Sequence, residues 1–132
     1  MSMHRLYECM KTKKVNNSHA REAIYSVLVN ADNCISVSEI IGELKETYPR
    51  KVSLNTVYRH LTFFVECGLA VVIQDDFKKA YYFLTSSKAN VFSLCPKCND
   101  LSIIDDSHMN NLLDSLDNHE FITMHKRCAK CK

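Results

Sequence analysis

Two Cys-x-x-Cys pairs, "CPKC" at 95–98 and "CAKC" at 128–131, stand 29 residues apart near the end of the chain. Such spacing constrains a fold more tightly than an apolar pattern does. Each turn aims two sulfurs at one centre, and two turns close a tetrahedron about 2.3 Å around a zinc ion. Each pair follows a run that reads as a strand, "VFSLC" and "EFITMH", so pairing those strands would bring the four sulfurs together. Lys97 and Lys130 lie within the turns and offset part of the charge of four thiolates. The resulting expectation is one structural Zn2+ per chain on Cys95, Cys98, Cys128 and Cys131, with no open position for chemistry. The competing readings are a thiol redox pair, which normally opens a helix after a strand of a larger sheet, and thiols with no common role.

Seven cysteines are many for 132 residues, and their odd number speaks against a disulfide framework. Cys9 and Cys67 read as half-buried small residues, and Cys34 falls in a loop. No 18-residue apolar stretch occurs, and "MSMHRLYECMKTKK" lacks the apolar run of a signal peptide. The expectation is a cytoplasmic protein without a membrane role. With 46% hydrophobic residues the chain can bury a core, and with only two Gly and two Pro it does not read as a turn-dense all-β fold.

Helical periodicity dominates the first half. Met3, Leu6, Tyr7 and Met10 make a short amphipathic stripe that ends at "KTKK". Ser18 caps a helix to about Asn30, with Ala20, Ala23, Ile24, Val27, Leu28 and Ala31 facing inward. "SVSE" at 36–39 has the spacing of a capping box and opens a helix that buries Ile40, Ile41 and Leu44. Ser53 caps a third core helix with the stripe Leu54, Val57, Leu61, Phe64 and Val65, stopped by Gly68. "LAVVIQDD" and "KKAYYFLT" then read as a hairpin joined near Asp75 to Lys78. "KAN" at 88–90 serves as the linker. Beyond it a small unit follows: strand, Cys-x-x-Cys turn, strand, a helix with Met109, Leu112, Leu113 and Leu116 on one face, and a last strand. The fold class is α+β, with a winged helix-turn-helix at 1–87 and a small α/β domain at 88–132.

Helix, helix, helix, hairpin is an order suited to reading DNA. Opposite the stripe of the helix capped by Ser53 lie Asn55, Thr56, Arg59, His60 and Thr62, with Tyr58 at the border. These groups can hydrogen-bond base edges and phosphates. Arg59 is the candidate for a bidentate contact to guanine, and Tyr58 for a thymine methyl. Lys13, Lys14, Lys78, Arg21 and Lys79, among other basic residues, are candidates for the phosphate backbone, which sets register without reading sequence. Net charge is only +2, so such a face depends on where the charges sit. The blander alternative is an ordinary solvated helix face.

"SLNTVYRHLTFFVECGLAVV", with its Thr-Val-Tyr-Arg core and following Gly-Leu, together with "CPKC" and "CAKC", resembles the ferric uptake regulator family of bacterial transcription factors. The likeness spans nearly the whole chain. It implies a homodimeric, repressor-like regulator on a palindromic double-stranded DNA operator. Residues 88–132 would form its dimerization domain, Tyr58 and Arg59 would contact DNA, and the four cysteines would ligate zinc. Members usually sense metal through a His in the hinge after the first helix, a Glu at the end of the wing and a His-rich run before the first Cys pair. Here those places hold Cys34, Phe83, and Asn90 with Phe92. His125 falls near the position of a later family His. The sequence therefore points to a member whose sensing site is dismantled, with Cys34 and His125 the remaining candidate sensing residues. The alternatives are a cysteine-based redox or peroxide-responsive regulator and a zinc-ribbon interaction module. No nucleophile–base pair, phosphate-binding loop or paired carboxylates occur, so no enzyme is expected.

Overall fold

The computed structural model describes residues 3–15, 18–84, 91–104 and 121–131. Helices α1 (His4–Lys13), α2 (His19–Asn30), α3 (Val37–Thr47) and α4 (Leu54–Glu66) come first. A two-residue strand β1 (Ile35–Ser36) precedes α3, and the hairpin β2 (Ala70–Gln74) and β3 (Ala80–Leu84) follows α4. The second unit contributes β4 (Val91–Leu94), β5 (Leu101–Ile103) and β6 (Ile122–His125). The expected helix with Met109, Leu112, Leu113 and Leu116, and the linker at 88–90, lie outside the described residues.

Local chemistry sets the helix ends. Ser18 Oγ accepts from the Arg21 N–H at 3.4 Å. Ser36 Oγ accepts from the Glu39 N–H while the Glu39 carboxylate accepts from the Ser36 N–H, which completes the capping box. Ser53 Oγ accepts from the Thr56 N–H at 3.2 Å. Gly68 ends α4 in the left-handed region at φ 74°. Its N–H reaches the Val65 carbonyl and the Leu69 N–H reaches that of Phe64, the double bond of a Schellman cap.

Leu6, Ile24, Ile40, Val57, Leu61 and Phe64 are fully or nearly fully buried in one core shared by the four helices. Tyr25 joins them, edge-on to Phe64 at 5.4 Å. Its place between the inward-facing Ile24 and the half-buried Ser26 hid it from a simple stripe count. Leu54, expected inside, is instead 52% exposed at the first turn of α4.

The first sheet has the order β1-β3-β2, all antiparallel, with Tyr82 opposite both Ile35 and Val72. The short β1 carries no alternation long enough to betray it in sequence. The second sheet has the order β5-β4-β6, with β5 antiparallel and β6 parallel to β4. The two sheets meet through a second apolar cluster. Val71 and Ile73 from β2 pack with Phe92, Leu94 and Leu101, and Cys34 is part of the same cluster.

Candidate nucleic-acid interface and metal centre

The parallel pairing of β6 on β4 builds the candidate metal centre. Leu94 pairs with His125, and the Lys126 N–H continues the ladder to the Leu94 carbonyl at 3.0 Å. The C-terminal Cys pair therefore emerges beside Cys95. The first knuckle is closed by the Asn99 N–H on the Cys95 carbonyl and the Cys95 N–H on the Asp100 carbonyl, with Asn99 left-handed at φ 66°. The second lies in a single 3-10 turn, Ala129–Cys131. The Sγ atoms of Cys95, Cys98, Cys128 and Cys131 all lie within 4.8 Å of one another, and those of Cys98 and Cys128 are 3.5 Å apart. Four sulfurs at about 2.3 Å from zinc would have edges of about 3.8 Å, so the cage fits the ion with small adjustments.

Thiol electrostatics favour the same ion. Backbone N–H groups of Cys128 and then Cys98 draw the Cys95 thiol down to about 6. The neighbouring thiol of Cys128, followed by burial, pushes Cys131 up to about 12. Four negative charges at this separation repel, and a divalent cation removes the conflict.

The other face of interest is α4. Its interior side holds Val57, Leu61 and Phe64, while Asn55, Tyr58 and Arg59 are exposed. Thr56 is half-buried, its Oγ1 at 2.8 Å from Ser53 Oγ, so it belongs to the helix cap as much as to the surface. His60, expected on the outer face, is only 4% exposed. Its Nδ1 accepts from Arg21 Nε at 3.3 Å. The reason is angular: His60 lies three residues from Val57 and four from Phe64, on the same flank of the helix. Arg21 is likewise turned inward, its guanidinium 4.5 Å from the Phe63 ring centroid.

The turn between β2 and β3 is built around Asp75. Its carboxylate accepts from the Phe77 and Lys79 N–H groups, each at 2.9 Å, and the Lys78 N–H reaches the Asp75 carbonyl at 3.0 Å. Lys78 takes the left-handed conformation, φ 64°, that Gly or Asn usually supplies. Lys78 and Lys79 line one surface groove together with Leu54 and Tyr58 of α4. Lys13 and Lys14 sit exposed at the end of α1.

The sequence profile of the ferric uptake regulator family matches residues 12–129. This chain belongs to that family. The ferric uptake regulation protein of Staphylococcus aureus is 24% identical over 96 residues, 73% of this chain and 70% of that one. The Helicobacter pylori ferric uptake regulator, described as having three functional metal-binding sites, superposes with a TM-score of 0.78 at 20% identity, covering 98% of this chain and 90% of that one. A zinc uptake regulator complexed with zinc and DNA superposes at 0.59, also at 20% identity, over 98% and 91%.

Cys34, Phe83 and Phe92, which stand where sensing ligands were expected, lie in the second apolar cluster. Cys34 is 9% exposed, and burial raises its thiol to about 12 despite its backbone hydrogen bond. Phe83 and Phe92 meet edge to face at 5.5 Å. Asn90 lies outside the described residues. His125 is exposed at the end of β6 and does not join the four-sulfur cluster. That cluster is the one group of potential metal ligands among the described residues.

Sequence reasoning read Cys9 and Cys67 as half-buried small residues, in a chain whose odd cysteine count speaks against a disulfide framework. The structure joins them in a disulfide, with Cα atoms 6.3 Å apart, that ties α1 to the end of α4. A separation of 58 residues gives no local signal for such a pairing.

Proposed function

We propose that this family member is a homodimeric, sequence-specific regulator of transcription. It acts in the cytoplasm, with residues 1–87 reading DNA and residues 88–132 joining the two subunits. The observation that carries the proposal is the outer surface of α4. Asn55, Tyr58 and Arg59 stand free of the core, beside Lys78 and Lys79 of the wing. With α4 in the major groove, the Arg59 guanidinium takes guanine O6 and N7, Asn55 takes adenine, and Tyr58 covers a thymine methyl. Thr56 meets the groove wall at the helix start. Lys13, Lys14 and Lys78 neutralise phosphates and fix the register. Two such helices in a dimer require a palindromic operator. The zinc and DNA found with a structural neighbour support both partners.

Cys95, Cys98, Cys128 and Cys131 would hold one zinc ion per chain, which staples the C-terminal tail to β4 and takes no part in chemistry. No second switch metal is needed. A neutral, buried Cys34 thiol is a poor ligand, and the two phenylalanines beside the same cluster offer none. Without differential metal binding, added metal has no means to shift the arrangement of the two sheets.

The test combines metal analysis with selection of bound duplexes from a random-sequence pool. One zinc per chain, a palindromic consensus and indifference to added manganese or iron are expected. Arg59→Ala should cost about 1–3 kcal/mol and relax preference at one base pair. A strong gain in affinity on adding manganese or iron would refute the metal-independent reading. Unchanged DNA binding by the Arg59 variant would favour a zinc-ribbon interaction module instead. The Cys9–Cys67 disulfide specifically favours a second reading, a peroxide-responsive regulator in which hydrogen peroxide oxidises the two thiols to this disulfide, itself reduced to two waters, and so fastens α1 and its lysines to α4.

A further inference from the structure

The largest apolar group that the described surface leaves in water is Phe77, 81% exposed at the tip of the β2–β3 hairpin. Nothing in the fold requires an aromatic ring there. The turn is specified by Asp75 and by the left-handed Lys78, and Phe77 contributes only its backbone N–H to it. A polar residue would serve the turn equally well and would not expose a ring to solvent. The stalk beneath the ring is firm, because the Asp75 side chain is 7% exposed and accepts from both Phe77 and Lys79. The ring is therefore presented in a defined place, with one cation directly after it and a second beyond.

The surroundings identify the occupant. Lys78 and Lys79 share a groove with Tyr58 and Leu54 at the N-terminal end of α4, the end that meets base edges when such a helix enters the major groove. Leu54 and Tyr58 are themselves 52% and 43% exposed. A ring flanked by ammonium groups suits a polyanion with an apolar interior that can be opened. Apolar side chains of this size wedge between base steps from the minor groove and partly unstack them. We infer that Phe77 enters the minor groove flanking the segment read by α4 and wedges at a base step there, while Lys78 and Lys79 hold the adjoining phosphates. The inference rests on the DNA-reading function proposed above, and it adds preference for an easily unstacked step outside the bases that α4 touches.

The experiment uses the duplex selected by the wild-type, zinc-loaded protein, with 2-aminopurine placed in turn at each flanking position. Wild-type protein should raise the fluorescence at one flanking step. Phe77→Ala should abolish that rise and weaken binding about tenfold, as expected for burying one aromatic ring. Its salt dependence should stay that of the wild type, whereas Lys78→Ala should lower the salt slope by about one. Phe77→Leu should restore part of the signal. Because the ring touches solvent, Phe77→Ala should match the wild type in circular dichroism and thermal midpoint. If Phe77→Ala binds and unstacks like the wild type while Arg59→Ala is impaired, the wedge is refuted and DNA reading by α4 stands. Unimpaired binding by both variants removes DNA reading by α4 and the wedge with it. Loss of the dimer in sedimentation by Phe77→Ala, with affinity per dimer unchanged, would assign the ring to a subunit contact and also refute the wedge.

Discussion

Acidification should loosen α4 through His60. Burial, followed by the positive charges of Arg21 and Arg59, lowers this imidazole to about 4 from 6.5. Arg21 Nε donates to its Nδ1, so protonation would also break the 3.3 Å hydrogen bond. The unfolded chain takes up a proton below about pH 6.5 that the folded chain refuses until about pH 4. The group therefore costs nothing above neutrality, and the native state loses stability as pH falls between those two values. From the two pKa values, the loss between pH 7 and pH 5 is about 2 kcal/mol for this residue alone. His60→Gln keeps an acceptor for Arg21 and cannot ionise. Urea unfolding of both proteins at pH 7 and pH 5 should show the wild type losing about 2 kcal/mol more than the variant. Loss of zinc in acid is common to both proteins and cancels in the difference. Equal losses, or a His60 titration midpoint near 6.5 in an NMR experiment on the folded protein, would refute the reasoning.

Three further outcomes are expected. Cys95→Ser should reduce bound zinc from one per chain to a small fraction, read by elemental analysis, and should expose the β4–β6 unit to protease. Peptide mapping under non-reducing conditions should recover Cys9 joined to Cys67, and Cys9→Ala should lower unfolding stability by up to about 4 kcal/mol, from the entropy of closing so long a loop. A thiol-alkylating reagent should leave Cys34 unmodified in the native, zinc-loaded protein and reach it only in denaturant, because the thiol is buried and held neutral.

Much of the molecule is legible along the chain because its signals are local. The three serine caps, the Schellman stop at Gly68 and the apolar stripes of α2 and α3 depend on residues within one or two turns of each other. The Cys-x-x-Cys pairs carry their chemistry in their own spacing, and the strands ahead of them indicated that the pairs could meet. Sequence reasoning failed where a residue's neighbour comes from elsewhere in the chain. His60 has the composition of a reading face, yet its partner is Arg21, 39 residues away. Leu54 belongs to the apolar stripe by period but lies at a helix start, on the wall of a groove that the described residues leave open. Cys34 read as a loop thiol, and the packing of the β2–β3 hairpin against the second sheet buries it.

The sequence by itself determined α2 to α4, the hairpin and the four cysteines that the structure gathers, since each follows from short-range periodicity, capping or the spacing of the Cys pairs. Tertiary structure alone decided the parallel union of β6 with β4, the disulfide between α1 and α4, and the apolar contact between sheets around Cys34. Those features join residues far apart in the chain, and their free energy depends on surfaces that exist only once the elements have packed.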